Sequence, residues 1–379
     1  MKSLKNLNEA QLEAVQYNSG PHIIVAGAGS GKTKVLTHKI AYLIEDGFDP
    51  SNILALTFTN KAANEMKGRI TEMIGVTKAK QLWMGTFHSI LARILRTEAT
   101  SLNYKTNFSI YDREDSVSLV SNILLALNIS IDDKSASAIQ HQISSLKNKM
   151  ILSDEFAKFH AETASDKKLA MVYSEYNKRL FEKNSMDFDD LLLKPIQLFN
   201  NNQRILAKYR KEFKYVLVDE FQDTNKAQYE IIKMFVSGRT KLCVVGDDAQ
   251  SIYGWRGAEL DNMLNFEKDF DKAQIFRLEQ NYRSTKRILK AAGSVIKNNP
   301  NQIEKTLWTE NEDGEMLAVL RCTDEKDEAF QIAKQIKKEI TSKKISLKDI
   351  AILYRINSQS RALEEALRRE KLPYRIIGG

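Results

Sequence analysis

A glycine-rich stretch near the amino terminus has the residue types and spacing of a phosphate-binding loop. Its eight residues are Ala26, Gly27, Ala28, Gly29, Ser30, Gly31, Lys32 and Thr33. Apolar residues 22–25 before it predict a buried strand, and the apolar spacing of residues 35–44 after it predicts a helix. Glycines let the backbone turn tightly and point N–H groups at an anion, which a helix start also attracts. Lys32 would neutralise the β- and γ-phosphates, and the Thr33 hydroxyl would hold Mg²⁺. The strict pattern has glycine where this chain has Ala26.

Two adjacent carboxylates, Asp219 and Glu220, follow the apolar run 216–218. In a phosphate-loop ATPase, an acid at a neighbouring strand end coordinates Mg²⁺, and the next acid can polarise the attacking water. Adjacent residues of a regular strand face opposite sides, so both can act only if the strand ends before them.

A second apolar run, residues 242–245, leads into a polar turn and a glycine-containing loop. Gln250 in the turn is suited to sense a γ-phosphate, because its amide hydrogen-bonds without adding charge. Tyr253 and Trp255 follow, with Arg256 beside them. Exposed aromatic faces stack on bases with about 1–3 kcal/mol per base. An aromatic plug between domains is the alternative.

Further candidates lie where strands are predicted to end, which is where open α/β sheets bind ligands. Phe58 ends one predicted strand, and His88 follows Phe87 after another. A phenylalanine at such a position also suits a core, and His88 could instead cap a helix or pair with a carboxylate. Tyr282 could stack on a base, and Arg283 could reach a γ-phosphate.

The chain divides into three blocks of predicted helices and strands, which would position these residues. Up to residue 89, short strands such as 53–58 alternate with helices such as 61–73, the latter after a cap-like Asn60. Residues 90–211 contain no glycine and read as a helical insertion, with helices over 115–127 and 169–181. Its basic residues favour a solvated face, with contacts to DNA phosphates as the alternative; they include Lys147, Lys149, Lys178, Arg179 and Lys183.

After residue 277 a new alternation of strands and helices begins. The predicted strands are 316–320, 350–354 and 374–377, and the predicted helices are 327–340 and 359–370. This pattern predicts the start of a second doubly wound α/β domain.

Length and composition limit the number of domains and the class of protein only broadly. A chain of 379 residues suggests two or three domains, and 42% hydrophobic with 28% charged residues is typical of a globular protein. The net charge of +8 suits an anionic partner but favours nucleic acid only weakly. Cys243 and Cys322 form no CxxC pair, so neither a zinc site nor a disulfide framework is indicated. Without a membrane-length apolar run or a signal-peptide core, a reducing cytoplasm is expected.

Taken in order, these segments resemble the superfamily-one DNA helicases of the UvrD, PcrA and Rep type. The resemblance covers the whole chain and is carried by residues 7–11, 26–33, 57–63, 85–89, 187–191, 218–224, 245–258, 280–284 and 352–357. They match, respectively, the Q motif, motif I, motif Ia, two further DNA-contacting motifs, motifs II, III and IV, and the segment after motif IV.

The resemblance implies an α/β fold with a RecA-like P-loop NTPase domain. Residues 1–89 and 212–276 would form this ATP-binding domain, residues 90–211 an all-helical insertion, and residues 277–379 the first part of a second RecA-like domain. The implied activity is an ATP-dependent 3′-to-5′ translocase and helicase that uses ATP and Mg²⁺. Its substrates would be single-stranded DNA and 3′-tailed duplex DNA.

The resemblance also implies roles for individual residues. The catalytic residues would be Lys32, Asp219, Glu220, Gln250 and Arg283, with Thr33 and Asp219 at the metal. Nucleotide contacts would come from Gln11, which reads the adenine edge, from residues 26–33, and from Lys34, Tyr282 and Arg283. Tyr282 and the residue after Thr33 sandwich the adenine; that residue is usually arginine, and Lys34 cannot stack as a flat guanidinium does. DNA contacts would be Phe58, Asn60, His88, Phe188, Tyr253, Trp255, Arg256 and Arg355.

Motifs V and VI, with a second arginine finger, are not found in these 379 residues. We therefore expect an amino-terminal portion of a longer helicase. One alternative is a module that binds ATP and DNA with little turnover. Another is the helicase part of an AddA- or RecB-type nuclease–helicase, and an RNA helicase is less favoured still.

Overall fold

The computed structural model describes residues 2–131, 134–238, 240–254, 257–343 and 345–377. They form two compact units, the first extending to Gly314 and the second starting at Glu315. No described helix is long and apolar enough to cross a bilayer.

A six-stranded sheet forms the centre of the first unit, and all its strands run parallel in the order β3-β2-β6-β7-β1-β8. The strands are β1 (His22–Ala26), β2 (Ile53–Thr57), β3 (Trp83–Thr86), β6 (Tyr215–Val218), β7 (Lys241–Gly246) and β8 (Gln274–Leu278). Every residue of β1, β2 and β6 is buried, as expected for a parallel sheet covered on both faces. The α/β fold class is therefore confirmed.

Helices cover both faces of the sheet. The helices that contribute apolar residues to the clusters flanking the sheet are α1 (Glu9–Gln16), α2 (Lys32–Glu45), α3 (Asn60–Ile74), α4 (Val76–Gln81), α5 (Phe87–Glu98), α10 (Asp190–Asn201), α11 (Gln203–Glu212), α12 (Lys226–Phe235), α13 (Asp261–Leu264) and α14 (Phe266–Asp269). Alternate residues of β1 point into different apolar clusters, Ile23 and Val25 into one, Ile24 and Ala26 into the other. The sheet therefore lies between two apolar clusters.

The inserted segment has its own apolar cluster, formed by α6 (Arg113–Leu127), α7 (Ala136–Asn148), α8 (Ser153–Phe159) and α9 (Ala164–Glu182). It is not all-helical as expected, because β4 (Ser109–Tyr111) and β5 (Ser185–Asp187) pair as a small parallel sheet. Helices α5, α10 and α11 contribute their apolar faces to the core of the large sheet instead. The division of the chain into domains at residues 90 and 211 stays a prediction.

Two local expectations are wrong. Helix α3 is capped by Thr59 rather than Asn60, because Thr59 has an extended backbone and its hydroxyl accepts a hydrogen bond from the Ala62 N–H. Lys147 is not on a solvated face; it is 1% exposed and pairs with the carboxylates of Asp187 and Asp190.

Helix α15 (Lys286–Ile296) completes the described helices of the first unit, and α16 (Glu325–Lys343) and α17 (Ser360–Arg369) pack together in the second. The two helices of the second unit match the sequence prediction. The segments 316–320, 350–354 and 374–377, predicted as strands, carry no strand in the structure. A strand needs a partner for its ladder hydrogen bonds, and Val319 and Leu353 are 89% and 92% exposed.

Candidate functional site: a phosphate loop beside an aromatic groove

The glycine-rich loop between β1 and α2 has the geometry of an anion cradle. Gly29 and Gly31 adopt φ values of +70° and +91°, which favour glycine, and no side chain caps the N-terminus of α2. The first-turn N–H groups of this helix therefore face an anion site without competition from a side-chain cap. Ala26 is the last residue of β1 and pairs with Leu278 in the ladder, so glycine is not required there.

Lys32 is the first residue of α2 and lies among carboxylates. Its Nζ is 3.7 Å from Glu220 Oε2 and 3.9 Å from Asp247 Oδ2. This nitrogen is buried and makes no hydrogen bond with the described residues. An ammonium group held in this way is suited to receive phosphate oxygens, and Thr33 stands next to it on the first helical turn.

The two carboxylates after β6 are brought to the same edge by the backbone. Strand β6 ends at Val218, and Glu220 has φ +49° and ψ +48°, the left-handed conformation. Burial, reinforced by the neighbouring Glu220 carboxylate, raises the pKa of Asp219 to about 7. Burial likewise raises the pKa of Asp223 to about 6, and one of its carboxylate oxygens has no hydrogen-bond partner.

Gln222, which sequence reasoning missed, joins the ends of β6 and β7. Its Nε2 donates to Glu220 Oε2 at 2.9 Å, and its Oε1 accepts from the Asp247 N–H at 2.9 Å. Gln250 lies beyond Asp247, and its Nε2 donates to Asp247 Oδ2 at 2.5 Å. Its predicted role as a γ-phosphate sensor stays a prediction.

The residues predicted to hold adenine gather around the start of α1. Gln11 is buried, and its Nε2 donates to Ser30 O of the phosphate loop at 3.0 Å. Asn8 donates to the Tyr282 hydroxyl at 2.7 Å, while Lys34 Nζ donates to the backbone oxygen of Asn6. Lys34 is therefore tied to the backbone before α1, and the ring of Tyr282 is half exposed.

Arg283 is also brought to the phosphate loop. The Tyr282 N–H donates to Gly29 O at 2.9 Å, and Asn281 Nδ2 donates to Ala28 O at 2.5 Å. A Cβ at Gly29 would lie 2.7 Å from Arg283 Cβ. The segment 281–283 thus crosses directly over the glycine turn.

A groove of about 630 Å³ lies beside this site, between the sheet edge and the inserted helices. Phe58 lines it and stacks on Tyr253, with ring centroids 5.5 Å apart and planes at 25°. His88 also lines it and meets the ring of Phe188, which is 52% exposed, at 5.8 Å. The structure thus brings four predicted DNA contacts to one groove or its rim.

Polar groups of the groove link the insertion to the sheet. Asn148 Nδ2 donates to Asp189 Oδ1 at 2.9 Å, and Asn148 Oδ1 accepts from Asn225 at 2.9 Å. Burial, reinforced by the Asp187 carboxylate, raises the pKa of Asp189 to about 6. Burial lowers the pKa of His88 and so favours its neutral form.

The remaining predicted DNA contacts are less constrained. Asn60 is exposed at the start of α3, and Arg355 is exposed in the second unit. Trp255 and Arg256 lie outside the described residues.

The residues around the phosphate loop fit a nucleotide with Mg²⁺. The Lys32 ammonium and Asp223 Oδ1 are buried and make no hydrogen bond with the described residues, so a bound nucleotide and its cation could satisfy them. Within the described part of the chain, no three His, Cys, Asp or Glu side chains form a metal site alone. Mg²⁺ usually binds through one or two carboxylates together with substrate phosphates, and the buried carboxylate of Asp219 beside the loop could supply one such ligand.

The family model for the UvrD/REP helicase N-terminal domain matches residues 7–271, and that for the UvrD-like helicase C-terminal domain matches residues 276–379. The ATP-dependent DNA helicase PcrA of Bacillus subtilis is 47% identical over 99% of this chain and 51% of its own length. PcrA proteins of Staphylococcus epidermidis and Staphylococcus aureus are 45% identical over the same shares. The chain therefore spans about half the length of the curated relatives it matches.

Proposed function

This chain belongs to the UvrD/REP helicase family, and from that premise we propose that it carries the motor site of an ATP-dependent DNA helicase. The observation that supports this most strongly is that one segment, residues 247–254 after β7, borders both candidate sites. Asp247 lies beside Lys32 at the phosphate loop, and Tyr253 stacks on Phe58 at the groove. A change at the nucleotide would reach the groove through fewer than ten residues.

In the proposed reaction, the phosphates lie in the cradle of residues 27–33. Lys32 contacts the β- and γ-phosphates, Glu220 orients the attacking water, and Arg283 stabilises the charge of the transition state. Thr33 and Asp219 would hold Mg²⁺, which when bound neutralises charge on the β- and γ-phosphates. Burial raises the pKa of Asp219 to about 7, and a bound cation would favour its ionised form.

In the proposed DNA complex, a single strand occupies the groove, with bases against Phe58, Tyr253 and Phe188. Neutral His88 adds a further ring for stacking without fixing a phosphate. We further propose that the protein translocates in the 3′-to-5′ direction, as the resemblance implies, and takes 3′-tailed duplexes.

The first test is the ATPase activity of Lys32→Ala with and without an oligonucleotide. We expect turnover to be lost while the circular dichroism spectrum is unchanged, since the ammonium supplies charge rather than packing. Lys67→Ala is the matched control, because Lys67 is exposed on α3. Near-normal turnover in Lys32→Ala would refute the motor site.

The second test measures strand displacement on duplexes with a 3′ or a 5′ single-stranded tail. Where unwinding occurs, we expect it on the 3′-tailed substrate alone. Preference for the 5′ tail would contradict the proposed polarity. Binding of ATP and DNA without any turnover would favour the alternative of a binding module.

A further inference from the structure

A lysine far along the chain is buried against the two carboxylates that follow β7. Lys305 Nζ lies 3.2 Å from Asp247 Oδ1 and donates a hydrogen bond to Asp248 Oδ1. The side chains of Lys305, Asp247 and Asp248 are 8%, 2% and 0% exposed. Two adjacent buried carboxylates are costly without a compensating cation, so Lys305 is their main counter-ion.

Asp247 lies between this lysine and the lysine of the phosphate loop. Its second oxygen, Oδ2, is 3.9 Å from Lys32 Nζ, beyond hydrogen-bond distance. The same oxygen accepts the hydrogen bond from Gln250. Asp247 is thus paired with Lys305 and accepts hydrogen bonds from Gln250 and the Ala249 N–H, while the ammonium of Lys32 makes no hydrogen bond with the described residues.

The backbone holds Lys305 in place. The Thr306 N–H donates to Glu279 Oε1 at 2.7 Å, and the Trp308 N–H donates to Glu279 O at 3.0 Å. Leu307 lies on the phosphate loop, since a Cβ at Gly27 would be 2.2 Å from its Cδ2. One short segment therefore contacts both the loop and the end of β7.

We propose that Lys305 is a positioning residue for nucleotide binding. It holds the negative charge of Asp247 and Asp248, which leaves the Lys32 ammonium available to the phosphates. Without it, Asp247 would draw Lys32 toward itself, and the uncompensated carboxylates would repel an incoming phosphate. This inference rests on the proposed function, because it assumes that Lys32 binds nucleotide.

The test is calorimetric binding of ADP without added metal. Lys305→Met is expected to bind ADP at least about tenfold more weakly than the wild type, because a buried charge pair loses one partner. Lys305→Arg keeps the charge and is expected to retain most of the affinity. Lys305→Gln supplies the same measurement if the methionine variant does not fold. Lys297→Met, at an exposed lysine of the same region, controls for the loss of one positive charge.

The double variant Lys305→Met with Asp247→Asn separates charge from packing. It is expected to bind ADP about threefold or more tightly than Lys305→Met alone, since the competing carboxylate is gone. Wild-type affinity in a folded neutral variant, an equal loss in Lys305→Arg, or no recovery in the double variant would overturn the inference. A wild-type protein that does not bind ADP, or Lys32→Ala that binds as well as wild type, would instead overturn the proposed function.

Discussion

At the scale of single residues, burial distinguishes the two adjacent carboxylates that follow β6. Asp219 is 4% exposed and has a pKa of about 7, while the side chain of its neighbour Glu220 is 35% exposed. The left-handed backbone of Glu220 allows both to face the phosphate loop. The two acids therefore suit different roles, one at the metal and the other at the attacking water.

The proposed binding of single-stranded DNA in the groove can be tested at Tyr253. We expect Tyr253→Ala to weaken single-stranded DNA binding by about 1–3 kcal/mol, because one stacking face is lost. ADP affinity in the absence of DNA should barely change. Fluorescence anisotropy with a labelled oligonucleotide measures the effect, and Phe159→Ala, at an exposed aromatic outside the groove lining, is the control. Unchanged DNA affinity would argue against stacking at this position.

Asp189 makes stability depend on pH. Its folded-state pKa of about 6 lies above its ordinary value, so its contribution to stability is present at low pH and is lost as pH rises through about 6. Asp189→Asn removes this titration and is expected to be more stable than wild type by about 1–3 kcal/mol near pH 8.

The stability advantage of Asp189→Asn should shrink as pH falls below about 6, in urea unfolding monitored across this range. Asp154→Asn, at an exposed carboxylate, is the control for the loss of one negative charge. A difference between Asp189→Asn and wild type that is independent of pH would mean that this carboxylate does not titrate as inferred.

At the scale of elements, the buried Lys147 links α7 to β5 and α10 by ion pairs. Lys147 of α7 lies 2.8 Å from Asp187 Oδ2 in β5 and 3.0 Å from Asp190 Oδ1 in α10. Tyr176 of α9 donates to the same Asp187 oxygen at 2.9 Å. Burial acts to lower the pKa of Lys147, but the two carboxylates outweigh it and raise the pKa. This network fixes where α10 starts and hence the position of Phe188 at the rim of the groove.

Lys147→Met should be strongly destabilising, by about 3–5 kcal/mol, because it leaves two buried carboxylates without a cation. Lys149→Met, two residues away on the exposed surface, should change the free energy of unfolding by less than about 0.5 kcal/mol. Chemical denaturation of both variants measures the difference. Similar stabilities would show that the network is not a source of stability.

At the scale of the whole molecule, the two units differ in how much apolar surface they bury. The sheet of the first unit lies between two large clusters, whereas the core of the second is built around Ala333, Ile336 and Leu367. The second unit also carries extended segments with exposed apolar side chains, such as Val319 and Leu353. Local stability should follow this difference.

We expect amides of α16 and α17 to exchange with deuterium at least about tenfold faster than those of β1, β6 and β7. Hydrogen exchange with peptide-level mass spectrometry measures this directly. Helix α3, which packs on the sheet through Met66 and Ile70 and exposes its other face, serves as an internal reference for helical amides. Equal protection of both units would contradict the expected difference.

The sequence alone determined the local features of the phosphate loop and of the strands beside it. The apolar run 216–218 predicted the strand observed as β6, and the glycine spacing predicted the cradle before α2, because backbone conformation and strand burial depend on near neighbours. Four of its proposed DNA contacts, Phe58, His88, Phe188 and Tyr253, lie in or beside one groove, and their contact with DNA stays a prediction.

Only the tertiary structure decided which distant charges meet. The sequence predicted Lys147 on a solvated face and placed Lys305 in none of the motifs, yet both are buried against pairs of carboxylates. Neither partner set is near in sequence, so no periodicity or spacing could reveal it. Strand formation after residue 315 also depended on partners, since an apolar run becomes a strand only where another backbone completes its hydrogen bonds. Local pattern sets what a segment can form, whereas long-range pairing decides what it does form.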